Sequence, residues 1–171
     1  RRFGLRYPII QGPFGGGLSA VDLVVAVSEA GGLGSFGVHH LDGPGIATVA
    51  AAIRGRTRRP FALNLWLPFE DSEDPALDDR GWQRHLEVLS PYYAELGIDI
   101  PQRPPRFTPR FDEQLDAVLA ARPAVFSFVF GVPAPDLLDR CRSLGIATIG
   151  TATTAEEAIL LDTAGVDMIV A

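Results

Sequence analysis

The sequence predicts an α/β fold with a parallel sheet, as a TIM-type (β/α)8 barrel rather than an open doubly wound sheet. Three observations carry that expectation. Short apolar runs alternate with helical patterns along the chain, the runs are nearly free of polar residues, and glycines close compact βα units at Gly145 and Gly165. Strands of that kind are buried on both faces, which calls for a parallel sheet with helices outside. A doubly wound sheet should carry G-x-G-x-x-G where a strand turns into a helix. Gly32-Leu33-Gly34-Ser35-Phe36-Gly37 has those letters, but it follows a helix pattern and lies within a strand. It is read as a chance match.

Residues 7–10 form the first expected strand by their apolar run. They lead into Gln11-Gly12-Pro13-Phe14-Gly15-Gly16-Gly17, a turn without charge that lets a ligand lie against bare backbone. Ser19 and Asp22 then stand as a capping box, and Ala20, Leu23, Val24 and Val27 share one helical face. Gly31 and Gly32 end that helix, and residues 33–38 are the second strand. After a turn at Asp42-Gly43-Pro44-Gly45, a helix is expected over residues 46–55. Pro60 precedes the third strand, residues 61–68, in which Asn64 is the one polar residue.

Residues 69–108 break the rhythm. They open with Glu70, Asp71, Glu73 and Asp74, continue as a helix over 82–96, and end among Pro101, Pro104, Pro105 and Pro109. Their apolar content is too low for a separate core, so they read as an insertion. A helix (111–121), strand (124–131), helix (135–144) and strand (146–149) follow. The next helix opens with Thr154 and Glu157 as a capping box, and residues 166–170 form the last strand. That makes about six strands of a fold that needs eight and about 250 residues. With 171 residues that begin at Arg1 and end on a strand, the chain reads as an incomplete N-terminal portion of a barrel.

Composition narrows the function. A net charge of −6 and pI near 5.0 argue against nucleic acid as a partner. No apolar run approaches the roughly 18 residues of a membrane span, and no leader pattern opens the chain, so a cytoplasmic protein is expected. One cysteine, Cys141, excludes an internal disulfide and a cysteine metal cluster, and no metal is expected. All 15 basic residues are arginine, which removes lysine Schiff-base and P-loop chemistry.

The motifs together resemble the nitronate monooxygenases, also called 2-nitropropane dioxygenases. They are Tyr7-Pro8-Ile9-Ile10-Gln11-Gly12-Pro13-Phe14-Gly15-Gly16-Gly17-Leu18-Ser19, Ala30-Gly31-Gly32-Leu33-Gly34-Ser35, Pro60-Phe61-Ala62-Leu63-Asn64-Leu65, Pro91-Tyr92-Tyr93-Ala94-Glu95-Leu96-Gly97, Ser127-Phe128-Val129-Phe130-Gly131 and Val166-Asp167-Met168-Ile169-Val170-Ala171. The resemblance covers nearly the whole chain. It implies an FMN-dependent barrel oxidoreductase that converts nitronates, the deprotonated nitroalkanes, and O2 into a carbonyl compound and nitrite. It also implies that the backbone of Gly12, Pro13 and Phe14 lies against the flavin ring and that Asn64 hydrogen-bonds it. The family usually has methionine where Phe14 stands and commonly histidine where Val129 stands. Its catalytic histidine follows the last strand present here, so the resemblance implies no catalytic residue within this segment. The alternatives are another FMN-barrel oxidoreductase such as an enoyl-thioester reductase, or a non-catalytic barrel segment.

Other residues read more plainly. His39 and His40 follow the second strand on the face where barrel sites form, and a loop pair of this kind is expected to be solvated. His85 is expected on the surface. Arg54, Arg56, Arg58 and Arg59 complement a helix C-terminus. Cys141 stands between Arg140 and Arg142, which could lower its pKa, but an outer-helix position makes it inert. Ser127 and Thr151 end strands on the catalytic side. The open strand edges of a partial barrel predict self-association, with a homodimer as the simplest form.

Overall fold

A computed structural model describes residues 3–15, 17–68, 78–104 and 107–171. The chain divides into two compact units, Arg1–Phe69 with Pro109–Ala171, and Glu70–Thr108. The first unit holds β1 (Gly34–Gly37), β2 (Phe61–Trp66), β3 (Val125–Val129), β4 (Ala147–Thr151) and β5 (Met168–Val170). Between them run α1 (Val21–Ala30), ahead of β1, and α2 (Gly43–Arg54), α4 (Phe111–Ala121), α5 (Pro135–Ser143) and α6 (Ala155–Thr163). Every strand pairing is parallel, and the strands stand side by side in chain order, β1-β2-β3-β4-β5. That order decides between the two architectures. A doubly wound sheet starts at its centre and reverses direction at a switch point; an unbroken sequential order is the barrel's, and the expected barrel portion is what is found.

Strand alternation sorts the side chains onto two faces. Phe36, Phe61, Leu63, Leu65, Phe126 and Phe128 point to the helices and join the main core with Val24, Ile46, Ile53, Val118 and Leu161. The opposite, inward face carries a smaller cluster of Leu33, Ala62, Val125, Ala147 and Ile149, closed from one side by Phe3 and Leu5. Register aligns Ala62 with Val125 and Val125 with Ala147, so these three inward residues lie side by side across neighbouring strands.

The first expected strand is reduced to one parallel bridge, Ile10 with Leu33. The physical reason is visible at Gln11. Its backbone N–H donates to Leu33 O at 3.0 Å, and then its side-chain amide takes over the ladder. Gln11 Nε2 donates to Ser35 O at 2.9 Å, and Ser35 N donates to Gln11 Oε1 at 3.2 Å. An amide side chain offers the same donor and acceptor as a peptide, so the main chain is free to leave the sheet.

Two helix starts differ from expectation. Ser19 does not cap α1; Ala20 holds the N-cap position without a side-chain bond, and the Ser19 hydroxyl is buried without a partner among the described residues. The helix α2 begins at Gly43, inside the expected turn, because Asp42 caps it by accepting from Gly45 N at 2.9 Å. The cap at Thr154 is present, accepting from Glu157 N at 3.2 Å.

In the second unit, α3 (Asp79–Leu96) is capped by Asp78 and carries Pro91 inside it. Trp82 and Phe107 pack together at 5.7 Å, and Arg103 bonds Asp79 at 2.5 Å. The acidic opening at Glu70, Asp71, Glu73 and Asp74 lies outside the described residues, as do Pro105 and Gly16.

Candidate functional site

The uncharged turn after Gln11 folds over the C-terminal end of β1. A Cβ added at Gly37 would stand 2.6 Å from Pro13 O and 3.1 Å from Gly15 N, so residues 13–15 rest directly on that strand's last residue. The turn tightens at Pro13, with Phe14 N donating to Gly12 O at 3.0 Å. Gln11 Nε2 donates to the same carbonyl at 2.8 Å and ties the turn to the sheet. Phe14 remains 63% exposed, so its ring is not spent on the core.

Register brings Asn64 next to this turn. Gly37 pairs with Asn64 and Asn64 with Ser127. Asn64 is on the inward face, 3% exposed, and its Nδ2 lies 3.0 Å from Ser127 Oγ. A hydroxyl both donates and accepts, so this contact holds the carboxamide in place without demanding one orientation of it. Pro13 and Phe14, seated on Gly37, and Asn64, paired with Gly37, therefore lie toward the C-terminal end of the sheet, where barrel sites form, with Gly12 one residue before them. Ser35, one inward position below Gly37, has a buried hydroxyl without a hydrogen-bond partner among the described residues.

The histidine pair departs from expectation. His40 is exposed, whereas His39 is half-buried and stacks flat on Trp66, with ring centroids 3.9 Å apart and planes 6° apart. A Cβ at Gly15 would fall 2.1 Å from His39 Cε1, so the glycine turn lies against the same imidazole. Burial first, and the neighbouring His40 second, hold the His39 imidazole below its usual 6.5. Among the described residues its Nδ1 is buried without a hydrogen-bond partner. Trp66 also meets the Phe130 ring edge-on at 5.4 Å. Trp66 and Phe130 are the residues that sequence reading missed. Their signal was an aromatic at the C-terminal end of each strand, legible only once the register between β2 and β3 was known.

The remaining candidates sit elsewhere. Thr151 ends β4 beside a cavity of about 730 Å³ that Trp66, Val129 and Phe130 also line. His85 Nδ1 bonds Gly81 O within α3 at 2.8 Å. Arg54 donates to Arg122 O at 2.7 Å and Arg56 pairs with Asp22, so both are engaged structurally. Cys141 is fully buried and burial pushes its thiol up to about 11, against the lowering by Arg140; it is inert for the reason opposite to a reactive thiol. Among the described residues no helix is long and apolar enough to cross a membrane, and no group of acidic, histidine or cysteine side chains could hold a metal.

Comparison with known proteins agrees with this geometry. The family model for nitronate monooxygenase matches residues 2–171. The nitronate monooxygenase of Pseudomonas aeruginosa PAO1 is 38% identical over all of this chain and 48% of its own length. That of Paraburkholderia phytofirmans is 35% identical over 98% of this chain and 45% of its own. The chain thus spans about half the length of the curated relatives it matches. Among solved structures, a nitroalkane oxidase from Streptomyces ansochromogenes superposes with a TM-score of 0.81 at 31% identity, covering 98% of this chain and 46% of that one. FabK from Thermotoga maritima shares the fold, with a TM-score of 0.70 at 19% identity over 99% of this chain and 42% of that one. With the consecutive parallel strands and the turn seated on β1, these matches establish that the chain belongs to the nitronate monooxygenase family.

Proposed function

We propose that this chain forms the flavin-facing part of an FMN-dependent nitronate monooxygenase, which oxidises nitronates with O2 to a carbonyl compound and nitrite. In this reading residues 1–171 are a partial FMN-binding barrel interrupted by residues 69–108. The observation that supports it most is a bare glycine turn seated on Gly37 beside one buried carboxamide, Asn64, on an uncharged inward face. A flat heterocycle with a polar edge needs that combination.

The residues fit the ring. Backbone of Gly12, Pro13 and Phe14 would lie against it, Asn64 would hydrogen-bond its edge, and the exposed rings of Phe14 and Trp66 offer apolar cover. When bound, FMN supplies the redox chemistry with O2. The chain's own residues orient and shelter. Ser127 holds the Asn64 amide, while the Phe130 ring packs edge-on against Trp66 and steadies it. The resemblance implies no catalytic residue within this segment, and no proton transfer is assigned to His39.

The full-length protein should carry flavin absorbance, take up O2 and release nitrite with a nitronate, whereas residues 1–171 alone should bind FMN weakly and show no turnover. Asn64→Ala should weaken FMN binding about tenfold, the worth of one net hydrogen bond. A colourless protein that takes up no added FMN would refute the proposal. NAD(P)H consumption with an enoyl thioester, without nitronate turnover, would transfer it to the reductase reading.

A further inference from the structure

His39 stands where three elements meet. It follows β1, its ring lies flat on Trp66 at the end of β2, and the glycine turn comes down on its edge. A Cβ added at Gly15 would stand 2.1 Å from Cε1, 2.7 Å from Nε2 and 3.2 Å from Nδ1, so the turn covers the edge that carries both nitrogens. From α4, Gln114 Nε2 donates to His39 O at 2.8 Å and fixes the main chain beneath the ring. The imidazole is a flat spacer between a strand end and bare backbone.

The two charge states do not fit this place equally. With its proton on Nε2, the neutral ring presents Nδ1 as an acceptor. That atom is buried without a hydrogen-bond partner among the described residues. In the imidazolium, Nδ1 carries an N–H with nothing to accept from it and the ring carries a charge, and burial penalises both. The surrounding groups do not compensate. Gly15, Trp66 and Gln114 are uncharged, and His40, edge-on at 5.4 Å between ring centroids, repels a second cation. Asp42 turns its carboxylate to Gly45 N, and on α4 Asp112 and Glu113 pair with Arg110. The Trp66 face attracts a cation, yet burial and His40 hold the imidazole below its usual 6.5.

We propose that His39 is a positioning residue that makes flavin binding pH-dependent: the neutral imidazole keeps the glycine turn seated on Gly37, and the imidazolium lifts it. The proposal rests on the function above, since the turn is what faces the flavin. A seat that exists only with the neutral ring ties flavin binding to the loss of one proton. Affinity is then level above the His39 midpoint and falls about tenfold for each pH unit below it, the slope of one linked proton.

The test measures the Kd of riboflavin for the flavin-stripped full-length protein from pH 5 to 8, the range in which a histidine titrates. Riboflavin has no phosphate, so no titration of its own enters. The affinity should break at the midpoint that NMR reads from the His39 ring in the flavin-free protein. His39→Phe keeps a flat ring on Trp66 without a titrating nitrogen; it should bind riboflavin within about threefold of the wild type at pH 8 and lose the slope. His40→Gln removes the repelling neighbour and should keep the slope while moving its midpoint up. A level wild-type affinity, a slope that survives in His39→Phe, or an affinity midpoint that departs from the NMR midpoint would overturn the proposal, and the last comparison needs no variant. If no flavin binds at any pH, the proposed function fails by itself, and hydrogen exchange still decides the seating. The Phe14 and Leu18 amides donate to Gly12 O and Gly15 O. After correction for intrinsic exchange, they should lose protection below the midpoint in the wild type and keep it in His39→Phe; equal protection in the two proteins overturns the proposal.

Discussion

Gly37→Ala is the sharpest test of how the glycine turn is seated. The new Cβ would stand 2.6 Å from Pro13 O, 3.1 Å from Gly15 N and 3.1 Å from the Phe14 carbonyl carbon. All three are backbone atoms of the turn, so no side chain can swing aside to make room. Forcing a methyl group into such a contact costs about 1–3 kcal/mol. The loss of backbone freedom in the unfolded chain returns about 0.4–1 kcal/mol. A net loss of about 1–2 kcal/mol corresponds to a Tm lower by about 2–8 °C for a protein of this size. Gly34→Ala is the control: its Cβ would strike Val24 O at 2.2 Å, so it disturbs the packing of α1 on β1 and not the turn. Thermal unfolding with and without FMN separates the two. At a ligand concentration of about 100 Kd, FMN raises stability by about 2.7 kcal/mol, and a tenfold loss of affinity removes about 1.4 of it. Gly37→Ala should shrink this FMN-linked shift, whereas Gly34→Ala should lower Tm and keep it. A Gly37→Ala protein with unchanged Tm and an unchanged FMN-linked shift would refute the seating of the turn as a working surface.

His39 should titrate below 6.5 in the folded protein, and Trp66→Ala should move its NMR midpoint back toward 6.5 more than His40→Ala does, since burial is the larger cause. Its folded value is depressed, so its contribution to stability is complete above 6.5 and is lost as pH falls through the folded value. Cys141 should resist a thiol reagent at pH 8 until the protein unfolds. Its contribution to stability is complete below the ordinary thiol value of 9.0 and is lost as pH climbs through about 11. Ser35→Ala removes a buried hydroxyl that has no partner among the described residues and should raise stability by about 1 kcal/mol in FMN-free protein. Denaturant unfolding checks it, and a loss of stability would show that the hydroxyl has a partner after all.

Much of this architecture is legible in the residues because it follows from local periodicity. Apolar runs with one polar residue each, Asn64 and Ser127, mark β2 and β3 as doubly buried, and the lone asparagine marks a position that proves to face inward. The Thr154–Glu157 cap is legible because its partners are three residues apart. Ser19 and Asp22 have the same spacing and fail, because Asp22 pairs with Arg56, 34 residues away, and Ser19 is buried. Tertiary partners outbid a local signal there. The His39–Trp66 stack was illegible for a related reason. Two rings meet face to face only after β1 and β2 are aligned in register, and nothing near either residue encodes that register.

Gln11 shows how a local departure from regular structure creates the site. Had the backbone continued as a strand past residue 11, its next peptides would have paired with Ser35 and stayed in the sheet. The space above Gly37 would then be open, and no bare backbone would face Asn64. By lending its side-chain amide to both Ser35 N and Ser35 O, Gln11 closes the sheet edge at no cost in unpaired groups. The main chain is released one step early and crosses inward, and Gly37 is small enough to receive it. The shortness of the first strand and the position of the glycine turn are therefore one event. Asn64 is placed by β2 and Ser127 by β3, both rigid, while the turn is placed by a single glutamine. Within the site, Gln11 is the residue on which the turn's geometry depends.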